Sequence, residues 1–267
     1  MTGSRASWPR KVSIVGIPIS ITSYDDVLRI IARRPKDEAT VIAVCNVHSV
    51  MTARRNSELD RALKAAQVAT PDGMPLVWAL QVLADGRQQR VYGPDLMRTA
   101  LRHGVDRGWK HYLYGGTPDK LDRLVERIKS FAPGAMVAGS SAPPFRPLHA
   151  AEEDAVIGDI LASGADIVWV GIGMPKQELW MHRVRERLPG VTLIGVGAAF
   201  DLLSGAIPSA PPWIKRMGLE WLFRLRQEPR RLWRRYVINN PLYVVLLMRQ
   251  LFGHAMRRAG GSRRHER

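Results

Sequence analysis

Cysteine is nearly missing: Cys45 stands alone in 267 residues. That excludes an intrachain disulfide and any multi-cysteine metal site, and it suits a reducing compartment. Long apolar runs are missing too. No uninterrupted hydrophobic stretch reaches bilayer-spanning length, and the N-terminal MTGSRASWPRKV has no continuous apolar segment of the kind a secretory signal carries. The expectation is a cytoplasmic protein. Acids are scarce, 24 against 40 Lys and Arg, for a net charge of +16. The excess is uneven. From Pro211 to Arg267 there are 14 Lys and Arg against Glu220, Glu228 and Glu266, so +11 falls in the last 57 residues and +5 in the first 210. A basic, apolar-rich tail points to nucleic acid, an anionic membrane surface or a phosphorylated ligand.

What is present is enough for a large core. A chain of this length with 46% hydrophobic residues forms one large α/β domain or two small ones. Its most informative stretch runs from Val41 to Trp78. The apolar run VIAVC has strand length and stops at Asn46 and His48, and helical spacing follows through Val50, Met51, Leu59, Leu63 and Ala66. A second short strand, Gln67 to Ala69, stops at Thr70-Pro71-Asp72-Gly73, where Pro71 disfavours helix at Thr70 and Gly73 permits a tight turn. Asp72 is thereby presented at a strand end just before a helix starting near Met74, with Asn46 in the equivalent position after the first strand. Open α/β sheets place their chemistry at such carboxyl ends. Either residue also suits a plainer duty, Asp72 as a turn former and Asn46 as a helix cap.

Elsewhere, Lys11 to Ile21 reads as a short hairpin, and Ser23 or Asp25 caps a helix through Arg33. HYLYGGTPDK is a strand, a glycine pair and a helix start. The pair lets backbone approach a ligand, but it lacks the full dinucleotide-binding spacing. The strand Ile167 to Val170 ends at Gly171-Ile172-Gly173, and Lys176, Gln177 and Glu178 crowd the next helical turn like a binding rim. Repeated strand, helix, strand predicts a Rossmann-like, mostly parallel sheet with helices on both faces. Composition shifts after Gly205, predicting an α/β core over 1–205 and a helical appendage over 206–267. There Trp221, Leu222, Leu225, Leu232 and Trp233 interleave with arginines, and Pro229 and Pro241 divide the segment into short amphipathic helices.

The motifs PDG (71–73), RVYGPDL (90–96), LYGG (113–116), VGIGMPKQE (170–178), VGAAFD (196–201) and GLEWLFRLRQEPRRLWRRY (218–236) stand in the order seen in the WecG/TagA/CpsF glycosyltransferases, which the chain resembles from Val41 to Tyr243. The resemblance implies inverting, metal-free transfer of a sugar from a UDP-sugar, of the N-acetylmannosamine type or a related hexose, to a polyprenyl-diphosphate-linked saccharide at the cytoplasmic membrane face. It places the general base on Asp72 and substrate contacts on Asn46, Arg90 and Gln177. Arg224, Arg231 and Arg234 fall where the family's appendage arginines close over the diphosphate. Two positions depart from the common pattern: Val44 replaces a frequent Thr, and Ser209 a frequent Arg.

The residues present are chemically suited to this. Inverting transfer needs one carboxylate to take the acceptor's proton, and positive charge or donors on the departing UDP. No Asp-x-Asp, the usual metal-holding pair, occurs in the chain, so arginines must meet the diphosphate. No cofactor is implied. Competing readings are a nucleotide-dependent oxidoreductase, whose glycine fingerprint is missing, and a nucleic-acid-binding protein, which the tail's tryptophans and leucines disfavour relative to lipid.

Overall fold

The computed structural model describes residues 8–262 and, within them, all side chains but those of residues 212, 215, 231, 234, 235 and 258–262. The chain opens with the expected hairpin, β1 (Lys11–Ile14) and β2 (Ile17–Ser20). Its two turn residues, Val15 and Gly16, both have positive φ (51° and 91°), the geometry that matches strand twist in a two-residue loop. Helix α1 (Tyr24–Ala32) starts at a capping box formed by Ser23 and Asp26. Strand β3 (Thr40–Cys45) leads to α2 (Val47–Ala53) and α3 (Ser57–Ala65). These are two helices because the Asn56 side chain accepts from the Leu59 amide at 2.9 Å and starts a new one. Then come β4 (Val68–Pro71), α4 (Met74–Ala84) and α5 (Gly93–Val105). They are followed by β5 (Lys110–Gly115), α6 (Pro118–Phe131), β6 (Met136–Ser141) and α7 (Ala150–Ser163). Strand β7 (Ile167–Gly171), α8 (Lys176–Val184), β8 (Thr192–Gly195) and α9 (Ala199–Leu203) complete the alternation.

Six strands form one sheet in the order β4-β3-β8-β7-β5-β6, and every neighbouring pair is parallel. Parallel neighbours need crossovers, and the crossovers put helices on both faces. The strand sequences require this. Along β3, Val41, Ala43 and Cys45 join one hydrophobic cluster with side chains of α2, α3, α4 and α8. Ile42 and Val44, pointing the other way, join a second cluster with α1, α5, α6 and α9. Strand β7 divides likewise, Val168 and Val170 against Ile167 and Trp169. Of the glycine pair at the end of β5, Gly115 serves this sheet. A Cβ on Gly115, whose φ is +138°, would lie 2.6 Å from the Gly171 carbonyl carbon on the neighbouring strand. Close strand packing excludes a side chain there.

The C-terminal extension holds α10 (Pro212–Arg216), α11 (Glu220–Gln227) and α12 (Pro229–Ser262). The expected subdivision at prolines holds at one position only. Pro229 begins α12, but Pro241 lies inside it and the helix continues through 34 residues. The carbonyl that loses its bond to position 241 belongs to Val237, a residue 59% exposed, so water can satisfy it. Helix α12 is fastened along the core. Tyr243 is buried and donates to the Pro75 carbonyl (3.1 Å). Gln250 accepts from the Val15 amide (2.7 Å) and donates to the Ser13 carbonyl (2.6 Å). Its outer face carries exposed Val245, Met248, Phe252 and Met256 at helical spacing. Leu232, expected on such a face, is instead buried, 2% exposed. No helix among the described residues is long and apolar enough to cross a membrane.

Candidate active site

Strands β3 and β4 are paired in register, Cys45 opposite Pro71, so the residues that follow them, Asn46 and Asp72, emerge side by side at the carboxyl edge. The Asp72 amide donates to the Cys45 carbonyl at 2.7 Å. Gly73 then turns the chain into α4, and a Cβ there would lie 3.6 Å from that of Asn46. Asn46 caps α2, its Oδ1 accepting from the amides of His48 (3.0 Å) and Ser49 (3.2 Å). The capping duty and a place in the site coexist.

Arg90, from the segment between α4 and α5, wraps around the turn that carries Asp72. Its Nε donates to the Asp72 carbonyl, and its Nη2 donates to Asp72 Oδ1 at 3.1 Å. The same nitrogen donates to Glu220 Oε2 at 2.7 Å. Glu220 is the first residue of α11, in the extension, and its Oε1 accepts from the Tyr92 hydroxyl at 2.7 Å. The guanidinium carbon lies 4.3 Å from the Tyr92 ring centroid, a cation–π contact. All three charged side chains are mostly shielded, between 11% and 18% exposed.

Shielding sets the electrostatics. Burial pushes the Asp72 carboxyl up from 3.8 to about 6; the Glu220 charge adds to the rise, and Arg90, with Arg224, restrains it. Burial works against the charge of Arg90, but Asp72 and Glu220 outweigh it and hold the guanidinium more firmly protonated. Burial and the same two carboxylates drive the Tyr92 hydroxyl well above its ordinary range. Asp72 is therefore a carboxylate poised to gain or lose a proton close to neutrality.

Two cavities meet at this residue. The larger, about 540 Å³, lies over the carboxyl ends of β3, β7 and β8 and is bounded by Gly173, Met174, Gln177, Gly197 and Arg55. The smaller, about 110 Å³, opens between α4 and the extension among Met74, Pro75, Trp221 and Tyr236. Asn46, His48, Asp72, Tyr92 and Arg224 line both. Val44, where the common family pattern has Thr, lines the larger one.

Gln177 joins the first turn of α8 to the loop after β8 at the edge of the larger cavity. Its Oε1 accepts from the Gly197 amide (3.0 Å), and its Nε2 donates to Glu178 Oε1 (2.8 Å). The expected polar rim of Lys176, Gln177 and Glu178 is not a rim. Lys176 faces solvent, while Gln177 and Glu178 are both 3% exposed, because successive helical residues point in different directions. Burial raises the Glu178 carboxyl to about 7, against the hydrogen bond from Gln177. It supports Gln177 from behind.

Asp72, Asn46, Arg90, Gln177 and Arg224 thus converge on one pair of cavities. The Arg231 and Arg234 side chains lie outside the described residues. Arg224 belongs to α11, which ends at Gln227, and positions 231 and 234 belong to α12. Sequence reasoning missed Tyr92, His48 and, above all, Glu220. The signal for Glu220 was available: it is one of three acids in a tail of arginines, and it sits within the GLEW motif. Among the described residues, no three His, Cys, Asp or Glu side chains gather so as to hold a metal ion.

The family described as "Glycosyl transferase WecG/TagA/CpsF family" matches residues 12–257. An N-acetylglucosaminyldiphosphoundecaprenol N-acetyl-beta-D-mannosaminyltransferase of Bacillus spizizenii is 29% identical over 214 residues, covering 80% of each chain. A protein of the same name from Bacillus subtilis is 28% identical over 210 residues, covering 79% of each. With a family match across nearly its whole length, the chain belongs to the WecG/TagA/CpsF family of glycosyltransferases.

Proposed function

We propose that this glycosyltransferase moves a hexosyl group, of the N-acetylmannosamine type or a related hexose, from a UDP-sugar to a polyprenyl-diphosphate-linked saccharide, with inversion and without a metal ion. The observation that carries the reading is Asp72, a shielded carboxylate raised to about 6 at the junction of two cavities. In this account Asp72 accepts the proton of the acceptor hydroxyl as that oxygen attacks the anomeric carbon. UDP departs from the opposite side, so the single displacement inverts the centre. The larger cavity has the size of a nucleotide-sugar site and lies at the sheet's carboxyl edge; the donor is assigned to it. The smaller one, flanked by Trp221, Tyr236, Met74 and Pro75, suits the lipid-linked acceptor. Asn46 and Gln177 orient the sugar. Arg224, with Arg231 and Arg234, neutralises the diphosphate as charge develops on it, a duty guanidinium groups perform by paired hydrogen bonds.

The same reading gives residues 206–267 the part of an appendage that both completes the site and rests on the membrane. The exposed apolar face of α12 and the tail's +11 charge support binding to an anionic surface. Each basic residue near such a surface contributes about 1 kcal/mol. The protein would act peripherally on the inner face of the cell membrane, with no part for nucleic acid.

Three outcomes are expected. Asp72→Asn should lose turnover by roughly a hundredfold or more with UDP-N-acetylmannosamine, or another member of a UDP-hexose panel, and a short-chain lipid-diphosphate acceptor. Its stability should not fall with its activity. The carboxyl is raised in the folded chain, so its stabilising contribution is full below about 3.8 and lost as pH rises through about 6. At pH 8 the Asn variant should therefore melt no lower than the wild type. A folded variant with near-normal turnover removes Asp72 from the mechanism. Activity should also survive exhaustive EDTA treatment, and strict dependence on re-added magnesium or manganese would overturn the arginine-based account. Finally, Met248→Glu with Phe252→Glu should reduce flotation with phosphatidylglycerol vesicles by about tenfold while turnover on the soluble acceptor stays unchanged. Unaltered flotation would remove the α12 face from membrane contact.

A further inference from the structure

Glu220 has no counterpart in the chemistry described so far. It belongs to the extension and it is buried (8% exposed). Yet it holds both polar groups that surround Asp72 on one side. Arg90 Nη2 serves two carboxylates, and the contact with Glu220 (2.7 Å) is shorter than that with Asp72 (3.1 Å). Tyr92, bonded to the other Glu220 oxygen, fixes the carboxylate's orientation, and its ring lies against the guanidinium.

A guanidinium devoted to one carboxylate forms a tight pair in which the carboxylate is a poor proton acceptor. Division of the guanidinium between two carboxylates weakens that pairing, and a second negative charge close by favours protonation of the first. We infer that Glu220 is a positioning residue for sugar transfer: by drawing Arg90 toward itself and Tyr92, it leaves Asp72 able to accept the acceptor's proton. The inference rests on the reading of Asp72 as the base. It adds that the base is complete only with the extension in place, since Glu220 arrives from residue 220 and Arg90 from residue 90.

The other groups facing Asp72 do not supply this effect. Arg224, also from α11, is cationic and acts in the opposite direction. His48 from α2 is turned to Thr52 Oγ1 and Asn239 Nδ2, each at 3.2 Å. The hydroxyls of Tyr24 from α1 and Tyr92 are both raised in pKa by burial first, so they are neutral near pH 7, as is the Cys45 thiol of β3. Asp95 of α5 reaches the cluster through Tyr24. Glu220 is the anion that shares a hydrogen-bond donor with Asp72.

The test uses the full chain labelled with 13C at aspartate carboxyls. The Asp72 resonance is identified by its loss in Asp72→Asn, and its titration is followed in wild type, Glu220→Gln and Glu220→Asp. The wild-type midpoint should lie near 6. Glu220→Gln should lower it by about one pH unit or more, and the acid limb of kcat/KM should move down by the same amount, with a plateau reduced about tenfold. Glu220→Asp, which keeps the charge but withdraws it by one methylene, should fall between the two. It also carries the test if the Gln variant does not fold. An unmoved midpoint in a folded Gln variant, or a moved midpoint without a matching move of the kinetic limb, overturns the inference. A loss of activity with an unmoved limb would mark Glu220 as structural only. Failure of the base reading shows separately, as retained turnover in Asp72→Asn.

Discussion

A guanidinium shielded between two carboxylates joins the C-terminal extension to the parallel sheet. Arg90 holds the turn after β4 through Nε and Nη2, and through the same Nη2 it binds the first residue of α11. Shielding makes such an arrangement costly to break: Arg90 deprived of both carboxylates would be left as an uncompensated buried charge, at a cost of about 3–5 kcal/mol. The same shielding gives the cluster its chemistry. In water a carboxylate beside an arginine sits below its ordinary pKa; here burial and a second carboxylate outweigh the arginine, and Asp72 rises to about 6. The same contact therefore ties α11 to the sheet and, beside burial, acts on the proton affinity of the proposed base.

Everything else in the fold brings this contact to the right place. The in-register pairing of β3 and β4 places Asn46 beside Asp72, and the crossover to β7 and β8 carries Gln177 and Gly197 to the opposite wall. Helix α12 closes the assembly by reaching back to the hairpin through Gln250 and to α4 through Tyr243. The two cavities proposed for donor and acceptor are separate in their outer walls and common at Asp72 and Arg224. That is the topology a single-displacement transfer requires, because nucleophile and leaving group must approach one carbon from opposite sides.

Local signals were legible in the sequence, and long-range ones were not. Repeated strand, helix, strand foretold a mostly parallel sheet with helices on both faces, and the breaks after VIAVC and at Thr70-Pro71-Asp72-Gly73 located Asn46 and Asp72. The glycine pair after β5 was ambiguous, because close approach to a ligand and close approach to Gly171 need the same residue type. Lys176, Gln177 and Glu178 looked alike as a polar run, yet the helical turn sends two inward and one outward. Pro241 promised a break that a solvent-facing carbonyl made unnecessary. Glu220 was hardest. Its partners stand 128 and 130 positions away in the chain, and no spacing rule connects them. Family motifs flagged its neighbourhood without giving it a role.

The account's central claim is that one shielded carboxylate, titrating near neutrality, takes the proton during transfer. The most direct measurement is the pH dependence of kcat/KM for the full chain with a chelator present. The account predicts a single-proton acid limb with its midpoint near 6, absent from whatever activity Asp72→Asn retains. A profile flat down to about pH 4.5, well below where a base so raised could remain ionised, or a limb that persists unchanged in Asp72→Asn, would contradict it.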